Sequence, residues 1–255
     1  MPILREEGTK VLLALQFLTR IPIPGNVPFS EDRFANTPRY YPLVGAIVGV
    51  LCAITVLISS FLFNINVAVA LMMMFSVLLT GAFHEDGLAD TFDGVGGGLT
   101  RDKALSIMKD SRLGTYGTLA LVMILLLKFT ALSSLTVQAI AIGLIAGHGL
   151  SRLSSVAVMA SSHYVRDHGT GKPVANGIDK SSLVIASTTG LACLLLVLIS
   201  LSFSMMICGL IGLVIGHGLM RWVYARKLGG YTGDTLGAVQ QVSEVGFYVG
   251  LVAGV

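Results

Sequence analysis

Charge is scarce in this chain. Asp, Glu, Lys and Arg make up only 12% of its 255 residues, while 54% are hydrophobic and the mean hydropathy is +0.81. A soluble domain carries about 25% charge, so an ordinary water-soluble fold is excluded. Cysteine is nearly absent too. Cys52, Cys193 and Cys208 all lie inside apolar runs without metal-ligand spacing, which excludes a disulfide framework or a cysteine metal site. A net charge of +3 provides no basic surface for nucleic acid, and no such partner is expected. No long polar stretch remains for a separate soluble domain. Residues 1–255 therefore read as one membrane-embedded domain, with 1–40 an interfacial N-terminal segment and 84–116 a loop carrying an acidic motif. No cleavable signal is expected: the apolar stretch Val11–Leu18 is short and soon meets Ile-Pro-Ile-Pro. Residues 8–20 read as a helix on or in the membrane interface.

What the chain has in quantity is long apolar runs. Crossing the hydrocarbon takes about 20 apolar residues. The runs 41–63, 65–83, 117–135, 138–160, 183–203 and 205–225 qualify. The run 243–255 has 13 residues, too few for a full span. The expected fold is all-α and polytopic, with six or seven transmembrane helices. Segments 1–40, 84–116, 161–182 and 226–242 hold 14 of the 17 Lys and Arg and 13 of the 14 Asp and Glu. Six spans place all four segments on one face, which the positive-inside rule makes cytoplasmic. Lys128 falls mid-span, where a charge costs at least about 2.5–3.5 kcal/mol, so it should face a protein interior or a wet cavity. No Asp or Glu lies within the six spans. That argues against an ion-coupled transporter, which places carboxylates near the midplane.

Directly after the second span the chain reads His84-Glu85-Asp86-Gly87-Leu88-Ala89-Asp90-Thr91-Phe92-Asp93-Gly94. Asp86, Asp90 and Asp93 stand at i, i+4 and i+7, within roughly a 60° arc of a helix. Three carboxylates on one stripe repel unless a cation sits among them. Hard oxygen ligands suit Mg²⁺, with Mn²⁺ a substitute. His84 sits about 160° around the helix from Asp86. It either contacts substrate, if the helix breaks at Gly87, or serves as a structural hydrogen-bonding residue. A glycine run, Gly94 to Gly98 interrupted by Val95, leads to Arg101, Lys103, Lys109, Asp110, Ser111 and Arg112. Acids for a divalent ion, cations for phosphate oxygens and glycines for close backbone approach form a phosphoryl-transfer set. The glycines do not match a dinucleotide fingerprint, and Gly169-Thr170-Gly171-Lys172-Pro173 is not a P-loop.

The chain also repeats itself. Residues 143–152 (Gly-Leu-Ile-Ala-Gly-His-Gly-Leu-Ser-Arg) and 212–221 (Gly-Leu-Val-Ile-Gly-His-Gly-Leu-Met-Arg) agree at seven of ten positions. His148 and Arg152, like His217 and Arg221, are i, i+4 neighbours on one helix face. The expectation is a duplicated helix–loop unit whose two His/Arg faces converge on one cytoplasmic cavity.

The acidic motif loosely resembles the CDP-alcohol phosphotransferases, which leaves a membrane phosphotransferase with another acceptor as an alternative. A closer resemblance is to the cobalamin synthase (adenosylcobinamide-GDP ribazoletransferase) family. It is carried by the 84–94 motif, by Leu18-Thr19-Arg20-Ile21-Pro22 with Tyr41-Pro42-Leu43-Val44-Gly45, and by 107–117 (Ile-Met-Lys-Asp-Ser-Arg-Leu-Gly-Thr-Tyr-Gly). Asp167-His168-Gly169-Thr170-Gly171-Lys172 and 229–238 (Gly-Gly-Tyr-Thr-Gly-Asp-Thr-Leu-Gly-Ala) extend it over most of the chain. Glu85 stands where many family members carry an apolar residue. The resemblance implies a Mg²⁺-dependent transferase joining adenosylcobinamide-GDP to α-ribazole or its 5′-phosphate, with release of GMP, as the last assembly step of coenzyme B12. It implies a lipid bilayer setting and leaves open a homo-oligomer or association with other cobalamin-assembly enzymes. Asp86, Asp90 and Asp93 then become the expected metal set, with Lys109, Arg112 and Arg101 on the diphosphate. Asp110 or one of the stripe aspartates would be the general base. His84, Ser111, Arg152, Arg221, Lys172, Thr232 and Asp234 are further expected substrate contacts, the last three and Ser111 by motif match alone.

Overall fold

The computed structural model describes residues 2–23, 25–166, 174 and 178–255, with side chains from residue 5 onward. In chain order the helices are α1 (Pro2–Leu18), α2 (Glu31–Ala35), a 3-10 turn (Thr37–Tyr40), α3 (Tyr41–Ser60), α4 (Ile65–Thr80) and α5 (Phe83–Gly97). They continue with α6 (Arg101–Ile107), α7 (Thr115–Ser133), α8 (Val137–Ser161), α9 (Lys180–Ser200), α10 (Phe203–Leu228) and α11 (Gly233–Ala253). Among the described residues the one departure from helix and turn is an isolated bridge between Tyr164 and Tyr231. The fold is all-α, as expected.

Polar side chains start the helices between apolar runs. Asn64, Thr136, Asp179 and Ser202 each accept a backbone N–H in the first turn of α4, α8, α9 and α10. Five helical segments are long and apolar enough to cross a membrane, and α4 with α5 makes a sixth if that bent pair is one span. The five match five of the expected runs, and the sixth expected run, 65–83, is α4, which qualifies only together with α5. Their outer faces expose bands of large apolar residues, such as Leu119, Met123 and Leu126 on α7 and Ile211, Ile215 and Leu219 on α10. So much exposed apolar surface requires lipid around it.

The C-terminal run departs from expectation. Its apolar residues are the second half of α11, a helix of 21 residues whose faces are buried nearly throughout. Asp234, Gln240, Gln241 and Glu244 keep it from reading as a span, yet with α8 it forms the middle of the bundle. Contact at that depth depends on small residues. A Cβ on Gly212 of α10 would land on the Gly246 carbonyl of α11, and one on Gly250 would land on the Cys208 carbonyl.

α11 brings a carboxylate into the interior that the six spans lack. Glu244 is fully buried and ion-paired to Lys128, in the second half of α7. Tyr248 donates to it at 3.2 Å, Ser151 donates at 3.4 Å, Gln240 donates as well, and His148 Nδ1 lies 3.2 Å away. Lys128 thus faces a protein interior, and its partner is the one acid that span counting had left out.

The four charged segments share one end. Arg39 lies 3.7 Å from Asp179, Arg166 donates to the Met108 carbonyl, Arg101 to that of Leu228 and Lys227 to that of Leu99. We expect Glu244→Leu, which strands the Lys128 ammonium, to cost about 3–5 kcal/mol, and the double change Lys128→Met/Glu244→Leu to recover most of it. Thermal unfolding of the detergent-solubilised chain, followed by circular dichroism, checks this.

Candidate active site

The acidic motif is aimed by a two-residue turn. α4 ends at Gly81 (φ 65) and is followed by Ala82, also left-handed at φ 58. Ala82 is the single non-glycine residue with positive φ among those described. Two left-handed residues in succession bend the chain by 87° between α4 and α5. α5 therefore leaves the line of the span and lies across the charged end of the bundle. Arg20 fixes the corner: its N–H donates to the Leu79 carbonyl at 2.7 Å, and its guanidinium fills the space above Gly81.

α5 runs unbroken from Phe83 to Gly97. Gly87 does not break the helix; it admits the α11 backbone, since a Cβ there would come within 2.7 Å of the Asp234 carbonyl. The glycine run is a correction as well. Gly94, Gly96 and Gly97 are helical, and Gly94 packs on Met108, Gly96 on the Tyr116 ring and Gly98 on Ala104. These glycines seat α6 and α7 and present no phosphate cradle.

The aspartate stripe splits. Asp86 is exposed and Asp90 half-buried. Asp93 is buried, and its two oxygens accept the Gly114 and Gly117 N–H groups at 2.7 and 2.8 Å. It caps the N-terminus of α7, where a carboxylate also complements the helix dipole. Asp93 therefore withdraws from the expected metal set. Asp234, in the first turn of α11, takes its place beside the others. Burial comes first, then the carboxylates of Asp234, Asp86 and Asp93, in pushing Asp90 up to about 7. Asp234 is itself raised by burial, against an opposing pull from Arg166, whose Nη2 lies 2.7 Å from Asp234 Oδ2. No group of three or more acidic, histidine or cysteine side chains among the described residues is drawn together tightly enough to cage a metal. Mg²⁺ usually takes one or two protein carboxylates and completes its shell with water and phosphate. The Asp86/Asp90/Asp234 cluster fits that use.

Several expected substrate contacts have other occupations. Thr232 is buried and caps α11 in a reciprocal pair with Thr235, at 2.8 and 3.2 Å. Arg112 is exposed and clasps Asp110, Nε to Oδ1 at 3.0 Å, which holds the Asp110 carboxyl down at about 2. A carboxyl that acidic is a poor general base. Both line an open groove with Asp93, Gly114 and Tyr116. Lys109 and Ser111 are exposed beside it, and Arg101 is exposed with its Nε on the Leu228 carbonyl. Lys172 lies outside the described residues.

The two repeat units do not converge. His148 and Arg152 are fully buried, with Arg152 Nη1 on the His148 carbonyl at 3.1 Å. His217 pairs with Ser154 at 2.7 Å, and the half-buried Arg221 donates to Ser161 at 2.9 Å. The second pair therefore binds along the outside of α8 while the first looks inward. His84 is buried beside Arg152 on the wall of a cavity and makes no side-chain hydrogen bond among the described residues, so the structural hydrogen-bonding role is not seen there, and a substrate contact would need no break at Gly87. The sequence reading missed Arg166, Gln240, Gln241 and Glu244. It also set Glu85 aside, yet Glu85 is buried and accepts the Gln241 amide at 2.9 Å.

The family model described as cobalamin-5-phosphate synthase matches residues 10–252. The chain belongs to the cobalamin-5-phosphate synthase family. It is 43% identical to the adenosylcobinamide-GDP ribazoletransferase of Shewanella amazonensis, covering 94% of each chain. It is 43% identical to that of Leptothrix cholodnii, over 100% of this chain and 99% of the other. The Vibrio cholerae protein of the same name is 41% identical, over 98% and 96%. No solved structure matches the chain.

Two outcomes follow from the split stripe. Asp93→Ala should lower stability by about 0.5–2 kcal/mol, the usual cost of a lost cap, while Asp86→Ala should leave the unfolding midpoint in place. Asp90 bears on pH. Its folded pKa stands above the ordinary 3.8, so the folded state holds a proton that the unfolded chain has released. Stability should therefore fall as pH rises from about 4 to about 7 in chelator, and then level off. In Asp90→Asn that decline should be shallower, as pH-dependent unfolding curves will measure.

Proposed function

We propose that this chain transfers the adenosylcobinamide phosphoryl group from adenosylcobinamide-GDP to α-ribazole or its 5′-phosphate, releasing GMP. Family membership over almost the whole chain carries the reading, and the carboxylate cluster on the charged end supports it chemically. A ribose hydroxyl of the acceptor forms the new bond to the cobinamide phosphorus, and the bond to the GMP oxygen breaks. Negative charge collects on the departing phosphate, so its neutralisation is the main demand on the site.

Mg²⁺, held by Asp86 and Asp234 with water and phosphate completing its shell, would supply charge neutralisation on the diphosphate when bound. The remaining work belongs to side chains. Arg166, ion-paired to Asp234, sets that carboxylate and adds positive charge beside the diphosphate. Asp90, poised at about 7, is matched to accept the hydroxyl proton near neutral pH, where Asp110 is not. Exposed Lys109 and Arg112 are placed to meet phosphate as it arrives. The charged end would be the cytoplasmic face, in a bacterial inner membrane; the gathering of the charged segments at one end supports that orientation under the positive-inside rule.

In membranes or detergent, with both substrates supplied, Mg²⁺ should support GMP release and chelation should abolish it. Asp86→Ala and Asp90→Ala should each lose at least about 100-fold in turnover, comparable to removing a principal charge-stabilising group, with unchanged helical content. Full turnover in chelator, or in either variant, would overturn the assignment.

A further inference from the structure

The cavity beside the acidic cluster plays no part in the chemistry above. It is enclosed by Phe17 of α1, Tyr41 of α3, Phe83 and His84 of α5, and Arg152 and Met159 of α8, and closed from α11 by Gly233, Leu236 and Gly237. Its wall is apolar and largely aromatic. His84, Arg152 and the Tyr41 hydroxyl break that wall, and all three residues are more than nine-tenths buried. Arg152 uses Nη1 on His148 and leaves Nε without a partner; His84 makes no side-chain hydrogen bond among the described residues. Arg152 Nε and the Tyr41 hydroxyl are buried without partners, which costs about 1–3 kcal/mol each, and their position on a cavity wall points to a ligand that completes them. The Ser155 hydroxyl, by contrast, already donates to the Leu236 carbonyl at 3.0 Å.

We propose that this cavity is the subsite for the flat aromatic base of the acceptor nucleoside, the dimethylbenzimidazole ring of α-ribazole, with His84 or Arg152 donating to its unsubstituted ring nitrogen. The proposal rests on the function given above. Three observations select this occupant. The cavity volume is about 60 Å³ measured to water centres, room for about four to five waters. That is the bulk of one bicyclic ring and far less than a corrin. The lining suits a base with a hydrocarbon edge and one acceptor nitrogen. Guanine, the other flat base in the reaction, would bring several ring-edge N–H and C=O groups against aromatic and aliphatic walls that leave them unpaired. Finally, the wall residue Gly233 immediately precedes Asp234, so the wall that would hold the ring leads directly into one carboxylate of the acidic cluster.

Two assays on the full chain separate this proposal from the function it rests on. GMP release by the wild-type protein tests the function. For the cavity, α-ribazole binding is measured by equilibrium dialysis without the donor, and KM is measured for each substrate in His84→Phe and in Met159→Phe, which fills the space. The expected result is binding to the wild type and a rise in the α-ribazole KM of about tenfold or more in each variant, the size of one lost hydrogen bond or comparable contact, with the adenosylcobinamide-GDP KM within about twofold. Thermal unfolding identifies any variant that fails to fold, and the other then decides. Absence of α-ribazole binding to the wild type overturns the assignment even if GMP is released. So does a rise confined to the donor KM, or no change in either KM in a folded variant.

Discussion

The bundle depends on a carboxylate that has nowhere to go but its partners. Glu244 sits at the depth of Lys128, and around it α7, α8 and α11 contribute an ammonium, an imidazole, a hydroxyl, a phenol and an amide. Away from water, each of these groups gains more from the others than from any alternative, and losing one leaves the rest unpaired. That fixes how α11 is rotated and how far it is inserted. Rotation and depth at the middle of α11 set where its first turn emerges, and Asp234 is in that first turn. Two helical turns before Glu244, Gly237 lies against His84 and Gly87, and the Gln241 amide reaches Glu85. The buried network and the acidic cluster are thus two ends of one positioned helix.

The second constraint is local. A helix continuing straight from α4 would carry the aspartates away from α11. Gly81 and Ala82, both left-handed, turn the chain instead, and Arg20 occupies the space above the corner. Left-handed backbone at alanine is unfavourable for an L side chain; here the hydrogen bond from the Ala82 N–H to the Val77 carbonyl holds it. The bend then delivers Asp86 and Asp90 to Asp234, and Asp93 to the start of α7.

Much of this was legible in the residues. Apolar run length gave the six spans to within a few residues at each end, because lipid imposes one dominant rule on composition. Charge placement gave the shared end for the same reason. α11 escaped that rule because it is enclosed by protein: a helix surrounded by other helices can carry Gln240, Gln241 and Glu244 if they find partners, and partners are not visible in hydropathy. Lys128 was the available clue, since a mid-span ammonium implies an acid nearby, and Glu244 is the single acid outside the four charged segments.

At the site, helical spacing grouped three aspartates correctly on one stripe and then assigned them one role, which the structure divides. Spacing within a helix says which side chains share a face; it does not say what approaches that face from elsewhere in the chain. The N-terminus of α7 approaches at Asp93 and takes both of its oxygens, while the N-terminus of α11 approaches at Asp86 and Asp90 and adds a fourth carboxylate. One carboxylate is thereby neutralised by backbone dipoles, and three are left under mutual repulsion with Arg166 as the nearby cation. The same reasoning separates the two repeats. Identical His/Arg spacing places His148 and Arg152 against the interior and His217 and Arg221 against the outside of α8, because the neighbours of α8 and α10 differ. Sequence duplication copied the side chains without copying their surroundings, and a buried arginine beside an aromatic cavity is the result on one side only.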